Sequence, residues 1–177
     1  MDTRVASRYA QALLDLAIEQ NQLDRVDADM ASLHDVCQES KDLTSVMKSP
    51  VISPFKKVEI LNTIFGKTMN QMSLAFMSLI VKNARAALLP EIAESFIHLS
   101  KKHRNILDVY LTAAQPLDQA VKDKILLKVK AVHQGQINII EKTDPELLGG
   151  FIVRMDDRQI DASIANQLTN LKNILLN

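Results

Sequence analysis

A change of hydrophobic periodicity near residue 105 is the feature that most constrains how this chain can fold. Before it, apolar residues recur at three- and four-residue steps, the spacing of one face of a helix. One such stripe consists of Leu23, Val26, Met30, Leu33 and Cys37. After it, apolar residues from Leu107 to Ala113 fall at every second position, the period of a strand. The sequence therefore predicts two domains, 1–105 and 106–177.

The first domain is predicted to be all helical. Its six expected helices are 4–19, 22–38, 42–48, 54–65, 70–84 and 89–104. Ser53 followed by Pro54 is a favourable helix start, because Ser can cap free amides and Pro is tolerated in the first turn. Gly66 is expected to end that helix in the left-handed conformation. No segment here alternates like a strand, so we expect an N-terminal six-helix bundle.

The second domain is predicted to run strand, helix, strand, strand, helix, which makes the fold class α+β and mostly α. Asp118 is expected to cap the first of these helices. Gly149-Gly150 leads into an alternating strand at 151–155, and residues 156–159 suggest a turn. A last helix after Asp161 is expected to carry an apolar stripe of Ile164, Leu168, Leu171 and Leu175. These elements form a small α/β domain.

Composition narrows the possible functions. The 21 basic and 21 acidic side chains cancel, whereas a nucleic-acid binder usually needs a basic excess, so no nucleic-acid partner is expected. Cys37 is the sole cysteine, which fits a reducing compartment. The N-terminal residues lack the apolar core of a signal peptide, and no apolar run approaches the ~20 residues that span a bilayer.

Two helices carry more apolar surface than a small bundle needs. On the first, the polar residues fall within a sector of about 120°, and the remainder is apolar. The segment 71–84 has a similarly narrow polar line through Gln71, Ser78 and Lys82. Either both helices lie centrally in the core, or they line an apolar groove for a partner helix, with small residues allowing close approach.

The sequence contains no recognisable catalytic or metal-binding pattern. The clustered glycines lack the context of a phosphate-binding loop. His34 and Cys37 lie one helical turn apart without a second ligand pair. Asp156, Asp157 and Asp161 are explained by turn and helix-cap roles. We expect no catalytic residue, no metal and no cofactor.

The segment 143–168 resembles the C-terminal signature of the delta subunit of F-type ATP synthases, the family of the mitochondrial oligomycin-sensitivity-conferring protein. The matching elements in order are Leu147-Leu148, Gly149-Gly150, the strand 151–155, Asp156-Asp157, Asp161 with Ser163, and Leu168 with Leu171. Weaker similarities lie upstream, in Arg8-Tyr9-Ala10 and in Asn83-Ala84-Arg85. Ala84 and Ala162 depart from the family pattern, because both positions often hold Gly.

This resemblance implies a non-catalytic stator subunit that links the catalytic head to the peripheral stalk, so that rotor torque is resisted during proton-driven ATP synthesis. The bundle would bind N-terminal helices of the alpha subunits, and the second domain would bind the ends of the b subunits. We expect Tyr9, Ala12, Leu13 and Leu79 to line the alpha-binding groove. A folding role is expected for Asn83, Arg85, Gly149, Gly150, Asp161 and Ser163.

The expected location is the cytoplasmic face of a bacterial inner (plasma) membrane, peripheral and held there indirectly through the complex. Two alternatives stay open on the residues. One is a small enzyme or ligand-binding protein that uses the Asp156-Asp157 turn and the Gly149-Gly150 loop. The other is a helical adaptor of unrelated origin.

Overall fold

The computed structural model describes residues 3–115, 118–133, 135–145, 147, 149–155, 158–164 and 166. The fold is mostly helical, with one small four-stranded sheet. The chain divides into two compact units, Met1–His103 and Arg104–Asn177. This division lies two residues from the boundary that the change of periodicity predicts. No helix of the described residues is long and apolar enough to cross a membrane.

The described residues of the first unit form six α-helices and one short 3₁₀ turn. The helices are α1 (Thr3–Glu19), α2 (Leu23–Glu39), α3 (Lys41–Lys48), α4 (Pro54–Phe65), α5 (Gln71–Lys82) and α6 (Leu89–His103). Their ends lie within two residues of the predicted ones. The 3₁₀ turn, Ala86–Leu88, joins α5 to α6 and was not predicted.

Capping side chains explain several helix starts. The Ser53 hydroxyl accepts from the Lys56 N–H at 3.4 Å, directly before Pro54. Ser40 caps α3 in the same way, accepting from the Leu43 N–H at 3.2 Å. The predicted conformation of Gly66 is wrong: it closes α4 with φ −60° and ψ −22°, in the right-handed helical region.

The core of the first unit lies where α1 and α2 pack on α6, with α4 packed on α5. Its largest fully buried side chains are Phe65, Phe96, Leu13, Met30, Leu33, Met77, Ile80, Leu89, Ile92, Val26 and Val81. Burying this many large apolar side chains is the main source of the unit's stability, at about 1.5–3 kcal/mol for each one fully removed from water.

Buried polar side chains hold the helix ends in place. The Asp29 carboxylate, 4% exposed, accepts from the Asn70 N–H at 2.9 Å and from the Ser73 hydroxyl at 2.6 Å. These bonds fasten α2 to the first turn of α5. The Lys57 ammonium donates to the carbonyls of Met47 and Ser49, each at 2.7 Å. It thereby stabilises the otherwise unpaired C-terminal end of α3.

The second unit is a sheet with one described helix against it. Its elements are β1 (Ile106–Ala113), α7 (Gln119–Val132), β2 (Gln136–Thr143), β3 (Phe151–Met155) and β4 (Arg158–Asp161). The strand order is β2-β1-β3-β4, with β1 parallel to β2 and the other two pairings antiparallel. A parallel pair requires a crossover, and α7 supplies it. The buried core consists of Val109, Leu111, Ile125, Val129 and Val153.

Two local predictions in the second unit are wrong. Arg158 and Gln159 belong to β4 rather than to a turn, because both pair with β3. Asp118 is the N-cap of α7 by position, but its side chain makes no capping bond. Asp156 and Asp157 lie outside the described residues. So does most of the predicted last helix. Ala162 and Ser163 precede its first helical residue, and beyond them only Ile164 and Asn166 are described, both in helical conformation.

Candidate partner-binding surface

The apolar side of α1 is wider than the part that the core buries. The buried residues are Ala6, Ala10, Leu13, Leu14 and Ala17. They occupy a sector of roughly 100° on a helix of 3.6 residues per turn. Since the apolar residues cover about twice that arc, a second apolar stripe is left outside the core.

That second stripe runs along α1 at steps of four, three and four residues. It consists of Val5, Tyr9, Ala12 and Leu16. Val5 and Tyr9 are half-buried, Ala12 is exposed, and Leu16 is 38% exposed. These side chains share an arc of roughly 60° beside the core-facing side.

A matching stripe runs along α5. It consists of Met72, Ala75, Phe76 and Leu79, at the spacing i, i+3, i+4 and i+7. Met72 and Phe76 are half-buried, while Ala75 is exposed and Leu79 is 51% exposed. The opposite side of α5 is buried through Ser73, Met77, Ile80 and Val81.

Two side-chain hydrogen bonds join the ends of α1 and α5. Near the start of α1, the Tyr9 hydroxyl accepts from Nη1 of Arg85, which follows α5, at 2.7 Å. Just beyond the end of α1, Gln22 accepts from the Asn70 side-chain amide that precedes α5, at 2.5 Å. The start of one helix thus meets the end of the other, so α1 and α5 run antiparallel with both pairs of ends joined. We call their two apolar stripes the α1–α5 surface.

The turn after α5 aims Arg85 at α1. The Arg85 N–H bonds to the Ile80 carbonyl and the Ala84 N–H to the Val81 carbonyl, both at 3.0 Å. This pair of bonds is a Schellman motif, with Asn83 as the C-cap and Ala84 at φ 57°. The Arg85 guanidinium lies 5.4 Å from the centre of the Tyr9 ring, within cation–π range.

The structure brings three of the four sequence-predicted groove residues to this surface. Tyr9, Ala12 and Leu79 lie on it, whereas Leu13 is 1% exposed and belongs to the core. Placing Leu13 in the groove is therefore a prediction that this structure contradicts. Leu16 is accessible on the same helix instead. Helical angles place Leu16 on the arc of Ala12 and apart from Leu13, but only the packing decides which arc is buried. Met72, Ala75 and Phe76 also lie on this surface. They belong to the apolar side of segment 71–84 but are not among the four residues predicted to line the groove.

The motif residues of the second unit meet at one corner. The Gly149 carbonyl accepts from the Ile164 N–H, and the Phe151 carbonyl accepts from the Ala162 N–H, both at 3.0 Å. Gly149 and Gly150 have φ values of 141° and 82°. A Cβ on Gly150 would collide with the Ala162 carbonyl oxygen. The glycines are needed because other residues rarely adopt this backbone and a side chain would block the close approach.

Asp161 and Ser163 start the segment that follows β4. The Ser163 N–H donates to Oδ1 of Asp161 at 2.9 Å, and the Ser163 hydroxyl accepts from the Asn166 N–H at 3.3 Å. The latter is the capping bond expected of Ser163. Hydrogen bonds from the Ser163 hydroxyl, and then from its backbone N–H, lower the pKa of Asp161 below its ordinary value. Both residues therefore have local structural roles here.

Reactive chemistry has little support in the described part of the chain. No group of three or more His, Cys, Asp or Glu residues there could hold a metal ion. Burial raises the pKa of the Cys37 thiol, which favours its unreactive form. Two shallow concave sites of the first unit are lined by Val36, Glu39, Ser40, Lys41 and Asp42, and by Phe55, Val58, Glu59, Asn62 and Thr63. Neither includes the Gly149-Gly150 loop.

Comparison with known proteins decides the family. The family model described as ATP synthase delta (OSCP) subunit matches residues 5–175. The chain belongs to this family. ATP synthase subunit delta of Cytophaga hutchinsonii is 39% identical over 174 residues, covering 97% of this chain and 94% of the relative. The same subunit of Desulforudis audaxviator is 34% identical over 168 residues, covering 95% and 92%.

A solved structure shares the fold of this delta-family chain. It is a chain in the cryo-EM structure of the Toxoplasma gondii mitochondrial ATP synthase hexamer. The two match with a TM-score of 0.76, 22% sequence identity, and coverage of 97% of each chain. The family membership does not favour the small-enzyme alternative or an adaptor of unrelated origin.

Proposed function

We propose that this delta-family chain is the stator subunit that joins the catalytic head of an F-type ATP synthase to its peripheral stalk. The observation that carries the proposal is the α1–α5 surface, a pair of apolar stripes in which Tyr9, Met72 and Phe76 are only partly buried against the core and Leu16 and Leu79 remain exposed. Its stripes have the spacing with which one amphipathic helix packs on another. The partner for this surface is the N-terminal helix of an alpha subunit.

The first unit suits a mechanical role. Its six helices act as one bundle, because buried hydrogen bonds such as those of Asp29 and Lys57 tie helix ends together. A stator resists torque by binding tightly and rigidly, so the subunit needs no catalytic group of its own. The reaction belongs to the complex and not to this chain.

The second unit is the contact for the b subunits of the stalk. Large apolar side chains remain exposed on it: Tyr110 at 47%, Leu127 at 69%, Ile160 at 53% and Ile164 at 45%. A partner that covers such side chains would remove their apolar surface from water, which favours association. Attachment to the membrane is then indirect, through the stalk, at the cytoplasmic face of a bacterial inner membrane.

A bridging assay tests this function. The alpha- and beta-containing head and a soluble b fragment, both from the organism of this chain, are mixed with and without the chain and separated by size. We expect head and stalk fragment to elute together only when the chain is present. Co-elution without the chain, or no ternary complex with it, would contradict the proposal. A Glu39→Gln chain is a suitable control, because Glu39 is exposed at the end of α2 and belongs to neither proposed contact.

A further inference from the structure

Charge is distributed unevenly around the α1–α5 surface. The segments 3–14 and 71–85 contain no Asp or Glu, although the whole chain has equal numbers of acidic and basic residues. The basic residues of these two segments are Arg4, Arg8, Lys82 and Arg85. All four are exposed. Because the start of α1 lies beside the end of α5, these charges gather at one end of the surface.

The opposite end of α1 has the reverse sign. Asp15 and Glu19 are exposed on its last turns, without a basic residue among positions 9–24. The surface therefore has a basic end beside Tyr9. At its other end, Asp15 and Glu19 of α1 are offset by the exposed Arg25, which donates to the Thr68 carbonyl just before α5. An apolar helix could lie on it in either direction, but a helix with charged ends would be favoured in only one.

Arg85 is the best-positioned charge at the basic end. One of its N–H groups donates to the Tyr9 hydroxyl, and its guanidinium stacks near the Tyr9 ring. No carboxylate of the described residues forms an ion pair with it. A guanidinium has five N–H donors in a rigid plane, so most of them remain available to a bidentate acceptor. Because Tyr9 already orders this side chain, binding would cost less rotamer entropy than it does for a free arginine.

We propose that Arg85 recognises a carboxylate on the partner helix and so fixes the direction in which that helix lies on the α1–α5 surface. This inference rests on the proposed function and adds a specificity-determining residue to it. The partner is an amphipathic helix whose apolar stripe meets α1 and α5. Its Asp or Glu lies at the Tyr9 end, where Arg85 takes it in a forked, charge-assisted hydrogen bond.

A double-mutant cycle tests the pairing. The probe is a synthetic peptide of the first 25 or so residues of the alpha subunit from the same organism, and a series in which each Asp or Glu is replaced by Asn or Gln. Each is titrated into the full chain and into Arg85→Gln, Arg85→Lys and Lys130→Gln. Lys130 is an exposed residue of α7 in the other unit, so its variant controls for the lost charge alone.

We expect Arg85→Gln to lower the affinity for the unmodified peptide about tenfold at low salt, and by a smaller factor at high salt. Arg85→Lys should lower this affinity by a smaller factor than Arg85→Gln does, and Lys130→Gln should leave it unchanged. One amide-substituted peptide should bind the wild-type chain and Arg85→Gln equally. The pairing of Arg85 with a carboxylate is overturned if Arg85→Gln lowers the affinity for every peptide by the same factor, or if the alpha-subunit peptide has no carboxylate. Neither result would contradict peptide binding at the α1–α5 surface. If the wild-type chain binds no peptide, the α1–α5 surface is not a binding site for the N-terminal helix of the alpha subunit.

Discussion

Ala84 lies at a backbone position that costs an alanine free energy. Its φ of 57° places it in the left-handed region, where a Cβ crowds the following carbonyl. The Schellman motif that ends α5 needs this conformation, and glycine adopts it without that cost. Ala84, where the family often has Gly, is therefore strained, and the hydrogen bonds of the Schellman motif hold it in this conformation.

Replacing Ala84 with Gly should stabilise the first unit. We expect Ala84→Gly to raise its free energy of unfolding by about 0.5–1 kcal/mol, because relief of left-handed strain outweighs the extra flexibility of the unfolded chain. The measurement is chemical denaturation followed by circular dichroism. Ala75→Gly, at an exposed position inside α5, should lower stability by a similar amount. If both variants are destabilised alike, the strain argument is wrong.

The carboxyl of Asp161 should titrate below its ordinary value of 3.8. Its ionised form accepts hydrogen bonds from the hydroxyl and the N–H of Ser163, which stabilise the charge. A lowered pKa in the folded state stabilises the fold above pH 3.8, and that contribution is lost as pH falls through the folded pKa. The residue is only half-buried, so solvent screens this contribution and the effect on stability is small.

The titration of Asp161 can be followed by the carbon-13 chemical shift of its carboxyl group. We expect a midpoint below 3.8 in the wild-type chain and in Ser163→Thr, which keeps the hydroxyl. Ser163→Ala should move the midpoint up. A wild-type midpoint at or above 3.8 would show that these hydrogen bonds do not form in solution.

At the scale of elements, the spacing of apolar residues and the residues that favour helix starts and ends predicted most helices and strands. Each of the first six helices lies within two residues of its predicted span, because apolar spacing and residues such as Ser53 and Pro54 act locally. The missed elements depend on distant partners. Residues 158–161 form β4 only because β3 provides its hydrogen bonds. Gly66 is right-handed although an isolated helix end favours the other conformation.

The candidate surface was only partly predictable for the same reason. The excess apolar arc on α1 was visible in the sequence, but which side the core would bury depended on α6. That packing decides that Leu13 is buried and Leu16 is accessible. The contact between Tyr9 and Arg85 joins residues 76 positions apart. No local pattern indicates it.

The link between α2 and α5 is also a tertiary feature. Removing it with Asp29→Ala should lower the free energy of unfolding of the first unit by about 2 kcal/mol, because the Asn70 N–H and the Ser73 hydroxyl lose a buried acceptor. Chemical denaturation measures the loss. Asp29→Asn, which keeps an acceptor oxygen, should cost less, and Glu39→Ala at the exposed end of α2 should cost little. Equal losses for Asp29→Ala and Glu39→Ala would contradict this role.

At the scale of the whole molecule, two units with separate cores fit a protein with two attachment points. The first unit has a large core and an apolar surface that the core does not need. The second has a small core and several exposed apolar side chains. The proposed stator function requires one contact for the head and one for the stalk, and the two units provide one candidate for each.

The most direct measurement is calorimetric titration of the full chain with the N-terminal peptide of the alpha subunit from the same organism. The account predicts saturable 1:1 binding with a negative heat-capacity change, because apolar surface is buried. Leu79→Ser should weaken it about tenfold through the lost apolar contact. Leu127→Ser, the same change at an exposed leucine of the other unit, should bind like the wild type. No binding by the folded wild-type chain, or equal affinity for the two serine variants, would contradict the account.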